Sequence, residues 1–273
     1  MWICPVCQAS LARTGEQWQC ENRHSYDRAK AGYVNLLLAN QKSRPDPGDN
    51  KTMMTARRAF LEQHHYLPLV RKLAEIIALQ HPAKSLTIHD AGCGEGYYLH
   101  QLCSLLYRPD SVITAAGSDI SRSAIEMAAK KYQTLQFAIA SNFNIPVIGN
   151  SRDVVLHIFA PASAAEVLTI LVPRGLWIRV TPAPEHLAEL RAALYQTPQQ
   201  HSADAEIPAG FEVLLQTRLQ FNLNLPDLQS RKQLLMMTPY YWSVAAGAMD
   251  TVCGKMSKLS AAFIIQVFRK ALQ

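Results

Sequence analysis

Leu86-Thr87-Ile88-His89-Asp90-Ala91-Gly92-Cys93-Gly94-Glu95-Gly96-Tyr97 reads as a strand that runs into a glycine loop and then opens a helix extending to about Leu106. The apolar residues leading to the acid fit a buried strand, and the three alternate glycines permit a tight turn that side chains would obstruct. Downstream, the rhythm of strand and helix continues. Residues 112–119 read as a strand and 121–132 as a helix with Ser121 at its N-cap. Residues 135–140, 154–159 and 176–181 supply further strands, and 185–195 an amphipathic helix. The tail adds a segment at 211–225, a helix around 229–237 and a last strand at 262–268. Such alternation predicts an α/β fold with a mainly parallel sheet covered on both faces.

Upstream, the texture changes. Met53, Met54, Phe60 and Leu61, then Leu69, Val70, Leu73, Ile76 and Ile77, suggest two helices broken near Pro68. Residues 38–50 combine two prolines, a glycine and several turn formers, the composition of a linker. Residues 1–37 have little aliphatic periodicity and hold three of the six cysteines. The expected organisation is therefore 1–37 as a small module, 38–80 as linker and helices, and 81–273 as the main domain.

The chain has 273 residues, 49% apolar and 18% charged, enough to build a sizeable core. No stretch reaches 18 uninterrupted apolar residues, so a transmembrane helix is excluded. The first residues, Met1-Trp2-Ile3-Cys4-Pro5, carry neither a basic region nor an apolar run, and no secretory signal is expected. Six cysteines are too few for a disulfide scaffold, so a reducing, cytoplasmic setting is expected. Residues 1–60 hold nine Lys/Arg against five Asp/Glu, and the remainder 18 against 16. The basic excess is thus concentrated where a polyanion would be attracted, although a plain solvated surface gives the same balance.

Cys4 and Cys7 form a C-x2-C knuckle, and Cys20 and His24 follow as C-x3-H after twelve intervening residues. Two such chelating pairs suit tetrahedral Zn2+, with all four positions filled and hence a structural ion. A redox C-x-x-C is the main rival, but that motif belongs at a helix start after a strand. Metal would supply most of the folding energy of so small a module.

The glycine loop alone serves dinucleotides, phosphates and adenosyl cofactors alike. Here the third glycine of a dinucleotide pattern would fall on Tyr97, too bulky for close helix–strand packing. Asp90, two positions before Gly92, suits a ligand carrying an ammonium and a sulfonium, such as S-adenosylmethionine. Asp119 ends the next strand, where a carboxylate can accept both ribose hydroxyls or stabilise the following helix. Ser141 or Asn142 could bind the adenine edge or serve ordinary turn chemistry.

With these parts joined, the chain resembles the RlmA family of large-subunit ribosomal RNA guanine-N1 methyltransferases. The resemblance is carried by Cys4-Pro5-Val6-Cys7, Cys20 to His24, Lys30-Ala31-Gly32-Tyr33-Val34-Asn35-Leu36-Leu37, Asp46-Pro47-Gly48-Asp49, and Ala56-Arg57-Arg58-Ala59-Phe60-Leu61. It continues through His65-Tyr66, Gly92 to Tyr98, Thr181-Pro182, His186-Leu187 and Met237-Thr238-Pro239. In this chain His89 and Ala91 flank the acid where the family has larger aliphatics, and Arg174 stands where it has a glycine.

The resemblance implies a class I S-adenosylmethionine-dependent methyltransferase fold with a seven-stranded sheet. It also implies an RNA-contacting zinc module and a homodimer. It places cofactor contacts at Tyr66, Tyr98, Leu99 and His186, beside Asp90, Gly92, Gly94, Gly96 and Asp119. The implied reaction is methyl transfer to N1 of a guanine in large-subunit (23S) ribosomal RNA. No residue stands out as the base for the N1 proton. Phe159-Ala160-Pro161 is a candidate for holding the target base, which must be unstacked to reach the cofactor. Arg23, Arg28, Lys30, Lys42, Arg44, Arg57 and Arg58 are candidate phosphate contacts. A different RNA, a protein or a small molecule as methyl acceptor is the alternative, and a non-catalytic RNA binder is the remaining one.

Overall fold

The computed structural model describes residues 2–41, 50–194, 207–245, 247–256 and 258–272. Within the expected linker, residues 42–49, with Lys42 and Arg44, lie outside the described residues, as does Tyr195 at the end of the expected helix 185–195. The N-terminal segment forms a three-stranded antiparallel sheet of β1 (Ala12–Thr14), β2 (Gln17–Gln19) and β3 (Ser25–Asp27), followed by the short β4 (Val34–Asn35). Helix α1 (Lys51–Glu62) starts where the Asn50 side chain accepts the Met53 N–H at 2.9 Å. Helix α2 (Leu67–Gln80) carries Pro68 in its first turn, where the missing N–H has no intrahelical partner to lose.

The main domain runs β5 (Ser85–Ala91), α3 (Tyr97–Leu106), β6 (Val112–Asp119), α4 (Arg122–Lys131), β7 (Gln136–Ile139), β8 (Arg152–Ile158), α5 (Ala164–Ile170), β9 (Leu171–Pro182) and α6 (Ala188–Leu194). It ends with β10 (Phe211–Leu223), α7 (Leu228–Met236), α8 (Met249–Gly254) and β11 (Leu259–Lys270). Ser121 caps α4 through the Ala124 N–H.

Among the described residues the large sheet has the order β10-β11-β9-β8-β5-β6-β7-β4. From β4 to β9 the pairs are parallel, and β11 is antiparallel to both β9 and β10. This is the mainly parallel arrangement that the resemblance implies, with one correction to the expected seven strands. The eighth, Val34–Asn35, comes from the N-terminal segment and pairs with Ala138 and Ile139 at the sheet edge. Two residues are too few to show a strand's alternating pattern.

Alternation along the strands divides the core. Leu86, Ile88, Leu156 and Ile178 face a layer containing residues of α1 to α4, α6, α7 and α8. Ala91, Ala116, Ala138, Val155 and Trp177 face α5 and the N-terminal module. The three alanines, on β5, β6 and β7, leave room for Trp2, which is 1% exposed and bridges to Val147. The cysteine-bearing module is thus seated on the sheet in place of a helix. Among the described residues no helix is long and apolar enough to cross a membrane.

Candidate active site and metal centre

Both cysteine knuckles turn on a residue in the left-handed region, Gln8 (φ 60°) after Cys7 and Arg23 (φ 63°) before His24. Backbone bonds close each turn, Gln8 N–H to the Cys4 carbonyl at 2.8 Å and Arg23 N–H to the Cys20 carbonyl at 2.9 Å. The His24 Nδ1 lies 3.5 Å from both Cys4 Sγ and Cys20 Sγ, and Cys7 Sγ lies 3.7 Å from Cys20 Sγ. A tetrahedron with Zn–S of about 2.3 Å and Zn–N of about 2.0 Å has edges of roughly 3.5 to 3.8 Å. The four donors therefore fit Zn2+, and a bare redox dithiol would not recruit an imidazole to the same point. Tyr26 Oη stands 3.1 Å from Cys4 Sγ and supports it from outside the cage.

The sheet order reverses between β5 and β8, which opens a crevice beyond their carboxyl ends. The glycine loop follows β5 there, and Phe159-Ala160-Pro161 follows β8. Gly92 has φ +83°, and a Cβ on it would fall 2.3 Å from the Ala160 Cβ, so the two loops touch only because the position is glycine. Gly94, also left-handed, has space above it. A Cβ there would meet nothing nearer than Met54 Cε at 3.6 Å and Arg57 Nη1 at 3.8 Å. Gly96 ends the loop as the N-cap of α3.

Asp90 is 1% exposed, and its Oδ1 has no hydrogen-bond partner among the described residues. Burial, with help from the Asp119 charge, pushes its carboxyl up to about 8. A cation bound beside it would let this acid ionise, so the position suits a cationic ligand. Asp119 Oδ2 accepts the Gly94 N–H at 2.9 Å and Oδ1 accepts the Ser121 N–H at 2.8 Å. It therefore fixes the loop and the start of α4 together at the end of the strand where a ribose would lie. Asn142 donates to the Pro161 carbonyl at 2.9 Å, tying the loop after β7 to the loop after β8, while Ser141 Oγ accepts the Phe143 N–H. An orphaned acid, a glycine cradle and a strand-end carboxylate together fit S-adenosylmethionine.

Tyr66, Tyr98 and His186, from three distant parts of the chain, meet around two phenylalanines. Phe263 of β11 lies 5.2 Å from Tyr66, 4.8 Å from His186 and 5.2 Å from Phe159, ring to ring, and Tyr98 lies 6.1 Å from Phe159. His186 Nδ1 accepts the Ala262 N–H at 3.2 Å. Burial pushes both tyrosine phenols above their ordinary range. Leu99 differs from the others: its side chain is sealed in the core. Phe159 is 41% exposed and sits at φ 57°, a strained setting for an aromatic residue that turns its ring onto the crevice rim. Sequence reading missed Phe263, for which a strand pattern gives no warning.

The basic residues divide. Arg23 and Lys30 are exposed, and Arg28 pairs with Glu16 at 3.1 Å. Arg58 is spent on Glu95, a 2% exposed acid inside the glycine loop, at 3.1 Å. Arg57 reaches the glycine loop itself. A separate cavity of about 220 Å³, lined by Glu62, His64, Tyr97, His100, Gln101, Lys131 and Tyr132, lies between α1, α3 and α4.

The N-terminal zinc-ribbon family described as RlmA, N-terminal, matches residues 2–44. A Bacillus subtilis (strain 168) protein named for 23S rRNA (guanine-N1-)-methyltransferase activity is 33% identical over 254 residues, covering 89% of this chain and 87% of its own. The 23S rRNA (guanine(748)-N1)-methyltransferase of Streptomyces fradiae is 31% identical over 245 residues, covering 88% and 85%. Among solved structures, the YcgJ protein from Bacillus subtilis overlaps 74% of this chain and 99% of its own at 14% identity with a TM-score of 0.48, too loose a fit to bear on the site.

Proposed function

The chain belongs to the RlmA family of 23S rRNA (guanine-N1-)-methyltransferases, and from that membership we propose that it methylates N1 of a specific guanine in large-subunit ribosomal RNA. The observation that carries the reading is the juxtaposition at the carboxyl edge of the sheet. There the glycine cradle with Asp90 and Asp119 faces the strained, half-exposed Phe159.

When bound, S-adenosylmethionine supplies a methyl group activated by its sulfonium. Asp90 would face the ammonium of that cofactor, Gly92, Gly94 and Gly96 would admit it to the backbone, and Asp119 would lie at its ribose. Tyr66 and His186, packed on Phe263, and Tyr98, beside Phe159, close the crevice against water. The Phe159 ring would stack on the unstacked guanine and the carbonyls of the Phe159–Ala160 turn would accept from its exocyclic amino group, while the N1 proton passes to solvent as N1 takes up the methyl group. The Pro161 carbonyl is already engaged by Asn142. Residues 1–37 serve as the RNA-recognition module, with Arg23 and Lys30 offered to phosphates; residues 38–80 link and roof the site, and 81–273 form the methyltransferase domain. The reading includes a cytoplasmic setting, which the cysteine usage suggests, and a homodimer, which the family resemblance implies and sedimentation analysis tests.

The functional test is methyl transfer from labelled S-adenosylmethionine to ribosomal RNA that lacks its native modifications, followed by nucleoside mapping. Label in a single 1-methylguanosine of the large-subunit RNA is expected. Label in another nucleoside or another RNA overturns the acceptor and leaves the cofactor site standing.

A further inference from the structure

The loop after β7 joins the crevice to the zinc module within the short run Ser141 to Val147. At its start Asn142 donates to the Pro161 carbonyl at 2.9 Å, which ties it to the loop that carries Phe159. At its end the Pro146 carbonyl accepts the Ile3 N–H at 3.0 Å and Val147 bridges to Trp2, so the module is seated on it. Between these anchors Ser141 to Asn144 form a tight turn, closed by the Asn144 N–H on the Ser141 carbonyl at 3.1 Å. Ile145, Pro146 and Val147 are buried, and Glu166 accepts the Ile145 N–H at 2.7 Å, so the loop is held from below as well.

Phe143 is the third residue of that turn and the one exposed residue between Ser141 and Val147, with 63% of its surface open. Turns favour Asn, Asp, Ser or Gly, which supply hydrogen bonds or backbone freedom. A phenylalanine supplies neither, and its ring is not buried to compensate. Its backbone is nonetheless fixed, since its N–H donates to Ser141 Oγ at 3.2 Å. The result is a firmly mounted aromatic ring in water, on a loop bonded to the one that presents Phe159. Drawing a guanine out of its stack deprives the neighbouring base of a stacking face, and an aromatic side chain at the rim can replace that face. No acidic side chain occurs between Ser141 and Val147 to repel a phosphate backbone. We propose that Phe143 is an RNA contact that stacks on an unpaired base next to the target guanine, on the side toward the zinc module. The proposal rests on ribosomal RNA as the methyl acceptor and adds the path by which the strand passes from module to crevice.

The test compares methyl transfer by wild type, Phe143→Ala, Phe143→Leu and Phe143→Trp at limiting large-subunit ribosomal RNA that lacks its native modifications, over a range of salt. S-adenosylhomocysteine affinity and urea midpoints are measured in parallel without RNA. Phe143→Ala is expected to lower kcat/KM for RNA about 5- to 100-fold, the range for one lost base–aromatic stack. The salt dependence of kcat/KM is expected to keep its wild-type slope, because no phosphate contact is lost. Phe143→Trp is expected to keep most of the activity and Phe143→Leu to fall with Phe143→Ala, while ligand affinity and urea midpoints stay at wild-type values. Full activity in Phe143→Leu makes the contact a plain apolar one and overturns the proposal. Weakened S-adenosylhomocysteine binding by Phe143→Ala makes Phe143 a cofactor residue and overturns it too. Unchanged kcat/KM in Phe143→Ala overturns it outright, and a shift in sedimentation beside that result assigns the ring to a contact between copies of the chain. Wild type that binds S-adenosylhomocysteine but methylates no ribosomal RNA refutes the acceptor reading itself, and the proposal with it.

Discussion

The zinc cage and the cofactor crevice are built in opposite ways. All four zinc donors come from 21 consecutive positions, Cys4 to His24, and two local turns set their geometry. The crevice draws Tyr66, Asp90, Phe159, His186 and Phe263 from across nearly 200 positions, and only the finished sheet brings them together. Local construction makes a site that a bound ion can fold by itself; distributed construction makes a site that exists only when the whole domain does.

That contrast breaks most easily at the metal. Zinc binding by such a cage is worth on the order of 10 kcal/mol. Chelation is expected to release one Zn2+ per chain and to abolish hydrogen-exchange protection across β1, β2 and β3. S-adenosylhomocysteine affinity should change by less than about tenfold, because the module sits behind the sheet, on the face away from α1 to α4. Loss of cofactor binding in step with zinc would show that the two regions are one cooperative unit.

Gly92 tests the crevice from the other side. Gly92→Ala places a methyl 2.3 Å from the Ala160 Cβ at φ +83°, a strained and overfilled position. A loss of about 2–4 kcal/mol in urea unfolding is expected, with ligand affinity falling and the zinc content unchanged. A variant of wild-type stability would mean that the loops after β5 and β8 need not touch.

Asp90 gives a smaller and pH-dependent effect. Its folded carboxyl stands at about 8 against an ordinary value of 3.8, so the folded chain retains a proton that the unfolded chain has released. The associated stability is full below about pH 4 and is lost as pH rises through 8. Ligand-free Asp90→Asn should therefore melt about 5 °C above wild type at pH 8.5 while binding S-adenosylhomocysteine more weakly. Thermal scans at pH 6 and 8.5 check the sign, and a lower melting point for the variant at pH 8.5 refutes the buried-acid account.

The smallest effect concerns His89 and His157, on the face of the sheet that seats Trp2. Burial depresses them to about 3 and about 4, so both stay neutral when folded while the unfolded chain takes up protons near 6.5. Stability is present above 6.5 and is lost as pH falls toward those values, by about 1–2 kcal/mol per histidine at pH 5. His89→Gln should flatten that acid limb, as unfolding midpoints between pH 5 and 7 will record.

The same contrast explains what could be read in advance. The knuckle spacing, the glycine loop and Ser121 as the cap of α4 are local patterns, and the structure has each where the residues put it. The eighth strand was invisible because two residues at an edge carry no alternation, and α5 because seven residues carry under two helical turns. Arg58 looked like an RNA ligand until Glu95 was found beneath it, a contact 37 positions away. Phe263 and the placement of Arg57 follow from the β9–β11 pairing and the α1 crossing, and no spacing rule encodes either.

A crystal structure with S-adenosylhomocysteine bound tests the central claim most directly. The account predicts the ligand between the Gly92–Gly96 loop and Phe159, its amino acid end at Asp90 and its ribose at Asp119. Ligand seated instead in the cavity lined by His64, His100 and Lys131 would contradict it.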